Sequence, residues 1–186
     1  MHYEFKKLNI KITHATADDA LGIQKVFYTT WLVTYPNKKI GITTKDIEVL
    51  FKDYTSPTKI ARYSQELTQT PPNEQFLVAK VGDLVVGVCR TIIREKYNQL
   101  QAIYVLPEYQ GKGVGTKLWD MAYTFFDTSK DTIVHVATYN IRAINFYRLL
   151  GFIDTGRRFT EERHRMPISN VLIPEMEMRF VKTNAM

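Results

Sequence analysis

The run of residues from Gln110 to Gly115 has the composition of an anion-binding turn. Glycine stands at the three alternate positions 111, 113 and 115, and Lys112 lies between two of them. Glycine lets the backbone approach a phosphate oxygen closely and adopt turn conformations that other residues avoid. An apolar stretch precedes the turn and a helical pattern follows it, so the free N–H groups of a helix N-terminus would face the anion. The pattern predicts a pyrophosphate site, with a plain tight turn as the alternative.

Two widespread phosphate-binding motifs do not fit this turn. The dinucleotide fingerprint G-x-G-x-x-G requires a third glycine at the position that Thr116 occupies. The Walker pattern requires an earlier spaced glycine and a Ser or Thr after the lysine, where this chain has Gly113. What remains is the pattern Q-x-x-G-x-G, formed by Gln110, Gly113 and Gly115.

A second candidate segment runs from Asn140 to Gly151, where a helix is predicted to begin and end. Asn140 and Tyr147 are seven residues apart, so they project from nearly the same face of that helix. Asn140 could cap the helix, contact a ligand, or do both. Tyr147 could pack in the core or reach a ligand, and Asn145 could contact a ligand or simply be solvated.

Hydrophobic periodicity places both segments in an α/β chain. The predicted strands are Ile10–Thr13, Gln75–Val81, Leu84–Ile93, Ala102–Leu106, Ile133–Thr138, Ile153–Phe159 and Glu175–Val181. Five helices are predicted: from near Ala20 to before Pro36, from Thr44 to Phe51, from Pro57 to before Pro71, from near Gly113 to Asp127, and from Asn140 to Leu150. Successive strand–helix–strand units predict a mixed sheet with helices on both faces.

The composition is that of one folded unit. The chain has 186 residues, 45% hydrophobic and 24% charged, which predicts a single domain over 1–186 with a core of about 10–181. No apolar run approaches the roughly 20 residues that cross a bilayer. Residues 1–7 lack the apolar stretch of a signal peptide, so we expect a cytoplasmic protein. The single cysteine, Cys89, lies in an apolar run and is predicted to be a buried, inert thiol.

The net charge of +6 favours anionic partners, which include nucleic acid, acidic membranes and phosphorylated cofactors. Lys and Arg are scattered along the chain, which argues against nucleic acid. The four histidines show no metal-ligand spacing, so no metal is expected.

Both candidate segments resemble the cofactor motifs of the GCN5-related N-acetyltransferase (GNAT) family. The stretch IYVLPEYQGKGVG, residues 103–115, is similar to its acetyl-CoA pyrophosphate motif, and NIRAINFYRLLGF, residues 140–152, to its second cofactor motif. The separation of the motifs and the order of the elements also match. The resemblance implies an α/β fold with a mixed, largely antiparallel sheet of six to seven strands, helices on both faces and a splayed central strand pair.

The resemblance also implies a reaction, the transfer of an acetyl group from acetyl-CoA to a primary amine by direct attack on the thioester. Backbone groups of Ile103 and Val105 would pair with the pantetheine arm, and the Val105 N–H would stabilise the tetrahedral oxyanion. Residues 110–116 would hold the pyrophosphate. The cofactor-binding residues that the resemblance implies are Ile103, Tyr104, Val105, Gln110, Gly111, Lys112, Gly113, Val114, Gly115, Thr116, Asn140, Asn145 and Tyr147.

Tyr147 is the predicted catalytic residue. A departing thiolate has a conjugate acid with a pKa of roughly 8.5 if it behaves like a cysteine, and a phenol with a pKa of about 10 can donate a proton to it. The base that the amine needs is not assigned. The family's glutamate corresponds to the amide stretch Asn98–Gln101, and Glu95 lies just upstream. A water relay, or loss of the proton to solvent, is the working hypothesis.

The early helices and the loop from Thr160 to Ile173 are expected to form the acceptor side. Trp31 and Tyr35 could line it, and Glu161 and Glu162 could attract a cationic amine. A small-molecule amine, a polyamine and a protein N-terminus all remain open as acceptors. A non-catalytic acyl-CoA sensor and a nucleic-acid-binding module are the competing classes. No membrane partner is expected, and a homodimer is compatible with this prediction.

Overall fold

The computed structural model describes residues 9–181. Between them the chain forms seven strands and five α-helices. The strands are β1 (Ile10–His14), β2 (Glu74–Val81), β3 (Leu84–Ile93), β4 (Asn98–Val105), β5 (Thr132–Ala137), β6 (Ile153–Phe159) and β7 (Glu175–Phe180). The helices are α1 (Ala20–Thr34), α2 (Thr44–Leu50), α3 (Pro57–Thr68), α4 (Val114–Tyr123) and α5 (Ile141–Leu149). Residues 1–7, for which the absence of a signal peptide was predicted, lie outside the described residues.

The seven strands form one sheet in the order β1-β2-β3-β4-β5-β7-β6. Every neighbouring pair is antiparallel except β4 and β5, which are parallel. The predicted mixed, largely antiparallel sheet with helices on its faces is therefore confirmed. Among residues 9–181, no helix is both long and apolar enough to cross a membrane.

The central pair of strands separates after a short stretch of pairing. β4 and β5 pair from Asn98 to Leu100 on one strand and from Thr132 to Val134 on the other. At that point the register of β3 against β4 shifts, so that Gln101 is the extra residue of a β-bulge. A bulge bends the strand that carries it. β4 therefore turns away from β5 beyond Gln101, which confirms the predicted splay.

Two predicted boundaries are wrong for identifiable reasons. β4 begins at Asn98, four residues before the predicted start, because the buried Asn98 side chain is satisfied by the loop before β5. Its Nδ2 donates to the Asp127 carbonyl at 2.8 Å, and its Oδ1 accepts from the Asp127 N–H at 3.1 Å. α4 ends at Tyr123 and not at Asp127, since the next residues form three-residue turns, with Phe125 N bonded to Ala122 O.

The main core lies between the sheet and the helices, and an aromatic group on α4 anchors it. The Trp119 ring contacts Tyr123, Phe126, Phe152 and Phe180 at centroid distances of 5.2 to 6.2 Å. Cys89 is fully buried within this core and burial raises its pKa, which confirms the predicted burial of the thiol.

A second, smaller core lies at the side of the sheet where β5 ends and β7 begins. Its buried members are Ile42, Ile47, Ala137, Met166 and Ile173. Asp46, on α2, joins this core to the loop before β7, because its carboxylate accepts the N–H groups of Ile168 and Ser169 at 3.0 and 2.7 Å. The loop predicted to flank the acceptor is thus held against α2.

Candidate active site

The separation of β4 from β5 opens a cleft of about 1030 Å³. That volume is at the upper end of the range for small-molecule sites. The cleft is lined on one side by the turn after β4 and by α5, and on the other by α1, by β5 and by the loop before β7. The two predicted motifs therefore meet in one cavity although they are about 30 residues apart in the chain.

The turn after β4 takes the backbone conformation that its glycines permit. Gly111 and Gly113 have φ angles of 72° and 79°, in the left-handed region that favours glycine. A Cβ atom at either position would meet nothing within 4 Å, so the requirement for glycine is conformational and not a lack of space. Gly113 is also the N-cap residue of α4, and the first N–H groups of that helix are presented at the cleft.

The side chain of Gln110 joins this turn to the neighbouring elements. Its Nε2 donates to the Val105 carbonyl at 2.8 Å, at the end of β4. Its Oε1 accepts a hydrogen bond from the Arg142 guanidinium on α5. Gln110 therefore fixes three parts of the cleft wall relative to one another. Arg142 was not among the predicted site residues, and an exposed arginine on a helix carries no sequence signal for this contact.

All but one of the predicted cofactor residues line the cleft. Those that do are Ile103, Tyr104, Val105, Gln110, Gly111, Gly113, Val114, Gly115, Thr116, Asn140, Asn145 and Tyr147. Lys112 is not among the lining residues, since it is exposed and its ammonium lies 5.5 Å from the centre of the Tyr109 ring.

The helix α5 presents its N-terminus and one face to the cleft. The Asn140 Oδ1 accepts the Ala143 N–H at 3.1 Å, so Asn140 caps the helix and still lines the cavity. Asn145 is exposed at the rim of the same cavity. Asn140 can therefore cap the helix and contact a ligand at the same time, because a capping side chain leaves its own backbone and amide nitrogen accessible.

Tyr147 lies on the buried face of α5 and is only 5% exposed. Its ring contacts the rings of Phe146 and Phe152 at centroid distances of 5.4 and 5.6 Å. Burial, with smaller contributions from Tyr104 and Cys89, raises its pKa well above the usual value for tyrosine. Its hydroxyl is therefore protonated at neutral pH, the form that a proton donor needs.

An aromatic group forms the opposite wall. The Trp31 and Tyr35 rings, both on or next to the end of α1, are 4.2 Å apart, and both line the cleft. The hydroxyls of Tyr35 and Tyr104 are 2.9 Å apart, and the Tyr139 hydroxyl donates to the Tyr35 carbonyl at 3.0 Å. Burial is the main cause of the raised pKa values of Tyr35 and Tyr104.

The start of β4 presents amides to the cleft, as expected from the sequence. Gln99 is buried, and its Oε1 accepts the Arg94 Nε–H at 3.0 Å. The Gln101 Oε1 is buried with no hydrogen-bond partner among the described residues. Glu95 is exposed and does not line the cleft. An amide cannot take up a proton near neutral pH, so neither glutamine can act as a base.

Three ionisable residues at the acceptor side were missed by sequence reasoning, namely His135, His164 and Glu175. They lie on β5, on the turn 162–164 and at the first position of β7, and all three line the cleft. The His164 Nδ1 is 2.9 Å from Glu175 Oε2. Isolated residues on three separate elements give no spacing pattern, and they come together because β7 pairs with β5 on one side and with β6 on the other.

The same region contains a group of side chains with metal-ligand chemistry. One donor atom each from Glu161, His164 and Glu175 lies within 4.8 Å of the other two. Each of the three already has a protein partner, because Glu161 pairs with Arg163 and His164 pairs with Glu175. The arrangement is that of one ion pair, Glu161–Arg163, and one hydrogen-bonded carboxylate–imidazole pair, Glu175–His164. Glu162, the other predicted acidic residue, pairs with Arg165 away from the cleft.

Comparison with known proteins gives a consistent picture. The model described as "Acetyltransferase (GNAT) family" matches residues 44–152, more than half of the chain. A search of the curated proteins finds no match.

Several solved structures share the fold at low sequence identity. The PaiA N-acetyltransferase from Thermoplasma acidophilum, solved in complex with coenzyme A, superposes with a TM-score of 0.67 at 21% identity, over 94% of this chain and 99% of that one. A GCN5-related N-acetyltransferase from Rhodopseudomonas palustris gives 0.67 at 16% identity, over 92% and 95%. YncA from Salmonella typhimurium, a putative acetyltransferase solved with its cofactor acetyl-CoA, gives 0.59 at 20% identity, over 96% and 99%.

Proposed function

This chain belongs to the GNAT acetyltransferase family, and on that premise we propose that it transfers an acetyl group from acetyl-CoA to a primary amine by direct attack on the thioester. The observation that carries the proposal is the convergence on one cleft of the glycine turn, the free edge of β4 and the protonated Tyr147. As parts of the same proposal, residues 1–186 form one such domain and the reaction takes place in the cytoplasm.

The pyrophosphate of acetyl-CoA would lie at the turn from Gln110 to Thr116. Its negative charge is matched by the positive end of the α4 dipole and by the N–H groups that the left-handed Gly111 and Gly113 leave unpaired. Lys112 would add a charge near the turn without a direct contact in the cleft. Asn140, Asn145 and Arg142 would border the same molecule from α5.

The pantetheine arm would follow β4 beyond the point where β5 separates from it. The Leu106 N–H donates to the Val86 carbonyl on β3 at 2.9 Å. Because backbone groups alternate between the two edges of a strand, those of Ile103 and Val105 face the edge that β5 has left. The Val105 carbonyl is already held by Gln110, so the Val105 N–H is the group available to stabilise the oxyanion.

Tyr147 would act as the general acid. The amine nitrogen forms its bond to the thioester carbonyl carbon, and the C–S bond breaks when the tetrahedral intermediate collapses. The Tyr147 hydroxyl then donates its proton to the departing sulfur. The surplus proton on the nitrogen of the intermediate restores the phenol, directly or through water, and the product amide keeps one N–H. The products are the N-acetylated amine, coenzyme A as the free thiol, and one proton from the starting ammonium.

A turnover screen with acetyl-CoA tests the proposal and the acceptor class together. Release of free coenzyme A thiol is followed with a panel of small amines, polyamines and peptides with free N-termini. Thermal melting with and without acetyl-CoA reports binding separately. Turnover with any member of the panel supports the proposal. A melting shift without turnover supports the sensor alternative. Salt-dependent DNA binding with no shift from acetyl-CoA would overturn both.

A further inference from the structure

The reaction proposed above needs a group that takes a proton from the acceptor. A primary aliphatic amine resembles lysine, with a pKa of about 10.4, so almost all of it is an ammonium at neutral pH. An ammonium has no lone pair and cannot attack a carbonyl carbon. The stretch Asn98–Gln101, which corresponds to the glutamate of the GNAT family, carries amides in this chain. An amide cannot take up the proton of the ammonium near neutral pH.

The proposed acceptor side of the cleft contains a carboxylate–imidazole pair whose geometry suits general acid–base catalysis. Glu175 is only 6% exposed, at the first position of β7, and its Oε2 lies 2.9 Å from Nδ1 of His164. Both residues line the cleft. The Trp31 ring packs edge-on against the imidazole at a centroid distance of 6.4 Å, which limits the orientations of the ring.

From this geometry we propose that His164 is the general base for the acceptor amine and that Glu175 is its positioning residue, an inference that rests on the proposed acetyl transfer. The Glu175 carboxylate accepts a hydrogen bond from Nδ1–H, and this selects the tautomer whose Nε2 carries the lone pair. The same carboxylate stabilises the imidazolium that forms when His164 takes the proton.

His135 is the other imidazole in the cleft and is less suited to the task. Its Nδ1 is buried with no hydrogen-bond partner among the described residues, so it cannot meet an incoming amine. Its Nε2 faces Glu177 at 3.8 Å, and that carboxylate is itself bonded to Arg157 at 2.8 Å. Burial, opposed by the nearby carboxylates, lowers the pKa of His135 and keeps it uncharged.

The charges around His164 come from several elements. Glu175 faces it from β7, and Glu161, paired with Arg163, approaches from the loop before the turn. Arg163 lines the cleft beside it, and the neutral His135 lies on β5. The hydroxyls of Tyr35, Tyr104 and Tyr139 lie within the field of Glu175. Glu175 is thus the carboxylate in direct contact with the ring.

The protons balance in this scheme. Nε2 of His164 takes one proton from the ammonium, and the free amine then attacks the thioester carbonyl. The second proton leaves the nitrogen as the C–S bond breaks and restores the Tyr147 phenol, which has protonated the sulfur. The His164 imidazolium releases its proton to solvent after each turnover, so one proton appears in the medium for each acetyl group transferred.

The test compares His164→Gln and Glu175→Gln with His14→Gln, which removes an exposed imidazole on β1, outside the cleft. The substrate is the amine that turns over fastest in the screen described above. We expect His164→Gln to lower kcat/KM at pH 7 by roughly 10²–10⁴ and to move the acidic limb of the pH profile up towards the pKa of the free amine, about 10.4. The loss should shrink towards pH 10, where the amine deprotonates by itself. His14→Gln should keep the wild-type profile.

The Glu175→Gln variant distinguishes a positioning role of Glu175 from a purely structural one, because only a positioning role predicts a change in the pH profile. Removing the carboxylate removes a group that stabilises the imidazolium, so the acidic limb of the kcat/KM profile should move to lower pH. Proton NMR titration of the His164 ring measures the same shift without any acceptor, and melting with acetyl-CoA confirms that the variants fold and bind. An unchanged titration in Glu175→Gln, or an acidic limb that stays at its wild-type pH in His164→Gln, would overturn the assignment. Absence of turnover with every amine would instead contradict the proposed acetyl transfer.

Discussion

The side-chain amide of Gln110 donates to the backbone carbonyl of Val105 across 2.8 Å. This bond joins the glycine turn to the end of β4, and so sets the position of the proposed pyrophosphate site relative to the proposed oxyanion site. The Oε1 atom of the same side chain accepts a hydrogen bond from Arg142 on α5. One side chain therefore aligns the three elements that would have to act together on a single substrate.

Replacing Gln110 with Ala should weaken acetyl-CoA binding about tenfold. The change removes both hydrogen bonds of the side chain and leaves the turn free to move relative to β4, and one net hydrogen bond is worth about 1 kcal/mol. Isothermal titration with acetyl-CoA measures the effect. Gln65→Ala, an exposed glutamine on α3, is the matched control and should bind like the wild type. Equal affinities in the two variants would refute this role of Gln110.

Gly113→Asp should abolish acetyl-CoA binding at micromolar concentrations, while Gly82→Asp should not. Both glycines have positive φ angles, 79° and 58°, and a Cβ at either meets nothing within 4 Å. Each substitution should therefore cost a similar free energy of unfolding, about 1 kcal/mol, through backbone strain alone. Only Gly113 lies in the cleft, where a carboxylate would repel the pyrophosphate. Urea denaturation and titration with acetyl-CoA separate the two effects.

Tyr147→Phe should lower kcat at least tenfold and leave the affinity for acetyl-CoA within about twofold. The substitution keeps the ring that packs on Phe152 and removes only the proposed proton donor. Tyr63→Phe is the control, since Tyr63 packs against Phe76 and does not line the cleft. If both variants turn over at the wild-type rate, Tyr147 has no part in the protonation of the leaving thiolate.

Asp46→Asn should lower the free energy of unfolding at pH 7 by about 2 kcal/mol, because hydrogen bonds to a buried charged group are among the stronger ones. Burial alone would raise the pKa of Asp46, but hydrogen bonds from Ser169, Thr43 and Ile168 hold it well below the usual range. A carboxyl with a lowered pKa stabilises the fold above its unfolded pKa of about 3.9, and this contribution is lost as the pH falls.

The difference between wild type and Asp46→Asn should therefore shrink on going from pH 7 to pH 2. Urea denaturation at several pH values measures it, and the exposed Asp18→Asn is the control, with an expected change within about 0.5 kcal/mol. A difference that stays constant with pH would show that the charge of Asp46 is not what stabilises the loop.

The sequence by itself determined the local parts of this protein. The order of strands and helices followed from hydrophobic periodicity, and the turn proposed to bind the pyrophosphate followed from glycines at alternate positions before a helix. Asn140 was identified as a helix start because capping chemistry is also local. Each of these signals lies within a stretch of about a dozen residues, the range over which backbone preferences and helix geometry act.

Only the tertiary structure decided how the acceptor side is built. The bulge at Gln101 depends on the register of β3 against β4, and the early start of β4 depends on a loop about 30 residues further on. Tyr35 meets Tyr104 across 69 positions, and Asp46 holds a loop more than 120 residues away. His164 and Glu175 are close because β7 pairs with β6, which sets Glu175 opposite Phe159 and beside the loop that carries His164. Contacts between elements arise from packing and strand pairing, which no local pattern encodes. The sequence therefore predicted the residues of the proposed acetyl-CoA site, but not the arrangement of the proposed acceptor side.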